Sequence, residues 1–124
     1  LIDDPDFRRQ VAELEIDLQA LEYTDLRYLM QTVAGKPPGA ESSLLKLRGT
    51  EIQQRISELL MQAVGYYAIP FVPEALEYGW NEDPIGPEGA APLAPAYFNR
   101  RKTTIYGGTN EIQRNIIAKM VLGL

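Results

Sequence analysis

Gly107-Gly108-Thr109 is where this chain could hold a ligand. The two glycines let the backbone turn sharply, Thr109 can cap the helix that follows, and the free amides of that helix's first turn point at whatever lies ahead. An anionic or strongly dipolar group suits such amides. The same residues also read as a well-capped helix-turn-helix with no ligand, a common arrangement, and residue types alone leave both readings open. The chain has no Cys and no His. That excludes disulfides, thiol nucleophiles and thiolate metal sites, and removes the commonest general base and metal ligand. No metal is expected, and any proton transfer falls to carboxylates, Lys or Tyr.

The elements that must position this turn are helical. Asp4-Pro5-Asp6 reads as a helix start, with an acceptor at the cap, Pro in the first turn and an acid near the positive end of the dipole. Phe7, Val11, Leu14, Leu18 and Leu21 then recur at steps of four and three along one stripe. The pattern predicts a helix over residues 5–34, stopped by Gly35 and Pro37-Pro38. Ser42 or Ser43 can cap a second helix running to about residue 64, with Leu45, Ile52, Ile56, Leu59 and Ala63 on one face, Gln53, Gln54 and Glu58 away from it, and Gly65 at its end. Long helices joined by a short Gly/Pro turn form an antiparallel hairpin.

Six of the nine prolines fall between Pro70 and Pro95, in a stretch that also holds Phe71, Trp80 and several Tyr. This predicts an extended, aromatic-anchored excursion. A short third helix is expected from Pro95 to about Ile105. Beyond Gly107-Gly108, Ile112, Ile116, Ile117, Met120 and Val121 give the last helix an apolar face, with Gln113, Arg114 and Lys119 elsewhere on its surface. The fold class is therefore all-α, an up-down-up-down four-helix bundle over residues 1–124, with the Pro-rich excursion between helices two and three.

With 124 residues, 45% of them hydrophobic, the chain can bury one core. It begins at Leu1 almost directly with a helix, so it reads as a piece of a longer polypeptide. The net charge of −5 argues against sequence-independent nucleic-acid binding, and the longest cationic run is Arg100-Arg101-Lys102. No apolar run approaches the roughly 20 residues that span a bilayer. A cytoplasmic protein working away from membranes is the expectation.

Ile105-Tyr-Gly-Gly-Thr-Asn-Glu-Ile-Gln-Arg-Asn-Ile-Ile-Ala-Lys119 resembles the C-terminal signature of the acyl-CoA dehydrogenases, flavoenzymes that introduce a double bond next to an acyl-CoA thioester. The resemblance extends over the chain as that family's helical C-terminal domain, most specifically over residues 97–124. It implies FAD as cofactor, an acyl-CoA substrate, an electron-transfer flavoprotein-like acceptor and homo- or hetero-oligomeric assembly. It also implies that the Gly107 N–H polarises the thioester carbonyl beside Tyr106, while Gly108, Thr109 and Glu111 border the flavin.

Many family members place the catalytic Glu directly after this Tyr. Here that position is Gly107, which cannot accept a proton. The base is then expected from an earlier helix, as in other members, or is missing from a subunit that works beside an active partner. Glu111 is better placed to favour the helix dipole than to reach substrate. Gln62-Ala-Val-Gly65-Tyr66 stands where the family often has Gln-x-x-Gly-Gly, a loop that approaches the flavin pyrophosphate; Tyr66 replaces the second Gly. Gln62 on a helix surface and Gly65 as a plain helix end is the other reading. The long excursion is similar to the branch that includes large subunits acting on steroid side-chain and dicarboxylyl substrates. Arg100-Arg101-Lys102 could meet a phosphate, or complement a helix dipole and stay solvated.

The resemblance therefore implies the C-terminal domain of a flavin-dependent acyl-CoA dehydrogenase, inactive alone. The alternative is a non-catalytic helical assembly module or base-less partner subunit.

Overall fold

A computed structural model describes residues 1–37 and 39–124, so the Pro38 half of the expected Pro37-Pro38 stop lies outside the described residues. Four α-helices form: α1 (Pro5–Val33), α2 (Glu41–Val64), α3 (Leu93–Arg100) and α4 (Asn110–Ile117), and there is no strand among the described residues. Asp4 caps α1 as its sequence suggests, its carboxylate accepting the N–H groups of Asp6 and Phe7 at 2.9 Å each. α1 ends at Val33, and Gly35 turns the chain with φ +78°.

The start of α2 departs from expectation. The helix opens at Glu41 behind Ala40, with no side-chain cap. Ser42 and Ser43 therefore sit inside its first turn rather than ahead of it, where a hydroxyl could accept the orphan amides. Ser43 is buried instead.

α2 is the centre of the fold: α1, α3 and α4 each pack on it. Arg55 donates to Gln10 at 2.8 Å and Arg48 to Asp17 at 2.8 Å, so advancing along α2 retreats along α1 and the pair is antiparallel. Thr104 lies beside Lys46 and Arg101 beside Gln54 and Ser57, so the chain leaving α3 runs against α2. Asn110 beside Lys46, followed by Arg114 beside Glu51, carries α4 back along α2. The result is the up-down-up-down order.

Leu47, Ile52 and Leu59 of α2 are the buried apolar residues of this centre. Phe7, Val11, Leu14 and Leu21 cover them from α1 half-buried, but Leu18 is 38% exposed and lies on the rim rather than in the core. Ile56 and Ala63 are likewise exposed, on the part of α2 that its neighbours leave uncovered. Gln54, expected to face solvent, instead donates to the carbonyls of Arg100 and Arg101.

The excursion after α2 contains two short 3₁₀ turns, Gly65–Ala68 and Pro73–Leu76. Ala68 and Ala90 are its buried anchors, and Tyr67 lies against the backbone of Gly86, where no side chain would fit. α3 begins two residues before Pro95 and passes into a 3₁₀ turn over Arg101–Thr104. α4 continues as a wider π-helical turn over Ala118–Leu122. No helix among the described residues is long and apolar enough to cross a membrane.

Candidate functional site

The turn between the 3₁₀ segment and α4 is held in one shape by glycine geometry and by two side chains. Gly107 has φ +61° and Gly108 φ +88°, the left-handed region that residues with a Cβ avoid. Gln113 reaches back from α4 and donates from Nε2 to the Gly107 carbonyl at 2.9 Å. It is only 8% exposed. A Cβ added to Gly108 would sit 2.8 Å from that same Nε2, whereas one added to Gly107 would meet nothing within 4 Å. Gly108 is thus glycine for packing and conformation together, Gly107 for conformation alone.

The second tether comes from α2. Lys46 donates from Nζ to the Thr104 carbonyl at 3.2 Å and to Asn110 Oδ1 at 2.7 Å, so one ammonium joins the chain entering the turn to the helix leaving it. The Thr50 hydroxyl lies 3.2 Å from the same Asn110 oxygen. Asn110 is 5% exposed, and these contacts satisfy its buried oxygen.

At the mouth of α4, Thr109 adopts the extended cap conformation and its hydroxyl oxygen accepts the Ile112 N–H at 3.3 Å. The Glu111 carboxyl is held below its ordinary value, first by its own backbone N–H and then by the Thr109 hydroxyl. It serves the helix end, as its position suggests. Among the described residues the amides of Gly107 and Gly108 donate to no backbone carbonyl. Tyr106 is exposed beside them, its ring 5.8 Å from Lys102 Nζ.

The cationic run divides. Arg101 is neither a solvated dipole partner nor free for a phosphate: it lies over the Tyr97 ring at 4.3 Å and donates to the Gln54 carbonyl at 3.0 Å and the Ser57 hydroxyl at 3.2 Å. Arg100 and Lys102 stay on the surface.

Tyr106, Gly107, Gly108, Thr109 and Glu111 lie together along one turn and the helix start that follows it. Gln62 and Gly65 are not part of it. They lie near the far end of α2, and Lys46 to Gln62 spans roughly 24 Å at the usual helical rise. Gly65 ends α2 with φ +55°, and Gln62 and Tyr66 are exposed.

Sequence reasoning missed Lys46, Asn110 and Gln113. It placed Gln113 on the outer surface of the last helix and the isoleucines on its inner face. In the structure α4 turns Asn110 towards α2 and buries Gln113 against the Gly107 carbonyl, while Ile112 is 51% exposed and Met120 and Val121 are uncovered. The available signal was the spacing of Asn110, Gln113 and Ile117 at three and four residues, a helical face that polarity disguised.

Across residues 1–122 the chain matches the family model described as "Acyl-CoA dehydrogenase, C-terminal domain". It is 32% identical over 122 residues to "Acyl-CoA dehydrogenase IpdE1" of Mycolicibacterium smegmatis and 31% identical over 125 residues to the protein of that name in Mycobacterium tuberculosis. Each match takes in 98% of this chain but only 26% and 28% of the respective relative, so the chain spans about a quarter of the length of these curated proteins. No solved structure gives a significant match.

Proposed function

Because this chain belongs to the acyl-CoA dehydrogenase family, as its C-terminal domain, we propose that it supplies one wall of the flavin and thioester site in a longer subunit that dehydrogenates acyl-CoA esters at the α,β position. The observation that carries this reading is the Gly107-Gly108 turn: two adjacent amides without a backbone acceptor among the described residues, fixed from behind by Gln113 and Lys46. The residues present fit a polar ligand edge. The space a Gly107 Cβ would occupy is open, and the first turn of α4 adds further orphan amides.

FAD, when bound, would supply the hydride acceptor. The Gly107 N–H would donate to the thioester carbonyl, stabilising charge on that oxygen as the α-proton leaves, while Gly108, Thr109 and Glu111 border the flavin. Preorganised donors of this kind need no reorganisation during the reaction. Gln62 and Gly65, roughly 24 Å away along α2, would meet the diphosphate of a second flavin held by a neighbouring subunit. That implies an oligomer, in which the uncovered faces of α1 and α4 are buried. The electron-transfer flavoprotein-like acceptor and a cytoplasmic setting, suited to CoA esters, complete the reading.

One observation favours a second form of it. Gly107 has no side chain to take the α-proton, so the base is a carboxylate elsewhere in the longer protein, or the subunit lacks one and assembles with an active partner. The test is the absorbance of the purified full-length protein before and after acyl-CoA is added without oxygen. Bound flavin that bleaches supports the enzyme; bound flavin that stays oxidised supports the base-less subunit. No flavin, with or without partner subunits, leaves only a helical assembly module.

A further inference from the structure

We infer that Gln113 is a positioning residue, which sets the direction of the Gly108 N–H by holding the carbonyl of the same peptide unit. The Gly107 carbonyl and the Gly108 N–H belong to one planar trans group, so they point in opposite directions. Gln113 Nε2 donates to that carbonyl at 2.9 Å from a side chain only 8% exposed. With the oxygen drawn inward against α4, the hydrogen faces out. Nothing else in the turn makes this choice. Glycines at φ +61° and +88° have no Cβ to oppose a flip of the peptide between them, and the Gly108 amide has no backbone acceptor of its own among the described residues.

Lys46 makes the division of labour clear. Its contacts with the Thr104 carbonyl and Asn110 Oδ1 fix the two ends of the turn, outside the Gly107-Gly108 peptide. Loss of Gln113 therefore frees that peptide while the turn itself stays in place. The close fit of Gly108 to Nε2 is the other half of the device, since any side chain there would displace the donor.

The consequence rests on the flavin reading above. An N–H directed at the flavin ring stabilises its electron-rich reduced form over the oxidised one, as hydrogen bonds and local dipoles tune a bound cofactor. Gln113, which touches no ligand, would then influence electron affinity through the peptide it holds.

The experiment uses the full-length flavoprotein, with the flavin midpoint potential measured in the wild type, Gln113→Met and Gln113→Leu. Met keeps the length of the side chain and cannot donate. Leu is shorter, uncharged and cannot donate either. In both variants the preference for reduced flavin should fall about tenfold, which is about 30 mV for a two-electron couple, with flavin stoichiometry unchanged. A merely structural role would lower the melting temperature and leave the potential where it was. If the Met protein does not fold, the Leu protein decides alone. Equal potentials in wild type and variant overturn the inference and leave the flavin reading standing, whereas a wild-type protein that binds no flavin overturns both together.

Discussion

The α1–α2 seam and the Gly107–α4 turn are built on opposite principles. Along the seam, apolar side chains meet at helical spacing and the polar contacts, such as Arg48 with Asp17 and Glu51, lie at its exposed edges. Ion pairs of that kind contribute little. At the turn the interior is polar: Lys46, Asn110, Thr50 and Gln113 lie inside or half inside, and Ile112 and Ile116 of α4 lie outside. Hydrophobic burial fixes which helices pack, but it tolerates small shifts. Directional hydrogen bonds fix where one peptide points. The molecule uses each where that property is needed.

The largest expected effect tests the seam. Leu59 is 6% exposed, and Leu59→Ala should cost about 2 to 5 kcal/mol, against about 1 kcal/mol for the rim residue Leu18→Ala. Urea unfolding of the 124-residue chain measures both. Equal losses would mean that α1 covers its whole stripe, contrary to the exposure of Leu18.

Next comes the polar node. Asn110→Ala leaves the Lys46 ammonium without its 2.7 Å acceptor and should cost about 1 to 3 kcal/mol. Lys46→Met combined with Asn110→Ala should cost less than the two single losses added, because it removes both partners together. Strict additivity in that double-mutant cycle would show that the two side chains do not interact.

These two regions also differ in how much of them could be read from the sequence. Phe7, Val11, Leu14 and Leu21 announced α1, and Asp4-Pro5-Asp6 its start, because periodicity and capping are local signals. The Gly107-Gly108 turn and the Thr109 cap were legible for the same reason. Ser42 and Ser43 misled, since the true first residue of α2 depends on how the preceding loop enters, which a cap preference cannot see. Gln113 and Arg101 were misplaced because hydrophobicity assigns polar residues to the surface, whereas the Gly107 carbonyl holds Gln113 inside and Gln54 and Ser57 hold Arg101. Asn110 stood out in no local pattern, because its partner Lys46 is far away in the chain. The turn itself was local in sequence. The Lys46 half of its support was not.

Smaller effects separate the two glycines. Gly107→Ala should cost about 1 kcal/mol, the penalty of a Cβ at positive φ. Gly108→Ala should cost more, since its Cβ also meets Gln113 Nε2 at 2.8 Å. Unfolding midpoints of the two variants give the order directly, and a reversed order would mean that Gln113 does not occupy that position.

The least effect is electrostatic. Glu111 has its carboxyl lowered below the ordinary 4.5 by its own backbone N–H and by Thr109. A depressed folded value contributes stability that is fully present above the unfolded value and lost as pH falls through the folded one. Glu111→Gln should therefore flatten the acid limb of the stability curve below about pH 4.5 and leave its shape near neutrality unchanged. An unchanged acid limb would show that neither its backbone N–H nor Thr109 holds the carboxylate in solution.

The most direct measurement is a crystal structure of the full-length protein with flavin and a non-reacting acyl-CoA analogue. The Gly107 N–H should donate to the thioester carbonyl and the Gly108 N–H should face the flavin, each at about 2.7 to 3.2 Å, with Gln113 still bonded to the Gly107 carbonyl behind them. Both amides turned away from the ligands, or covered by another part of the protein, would contradict the assignment of this turn as the wall of the site.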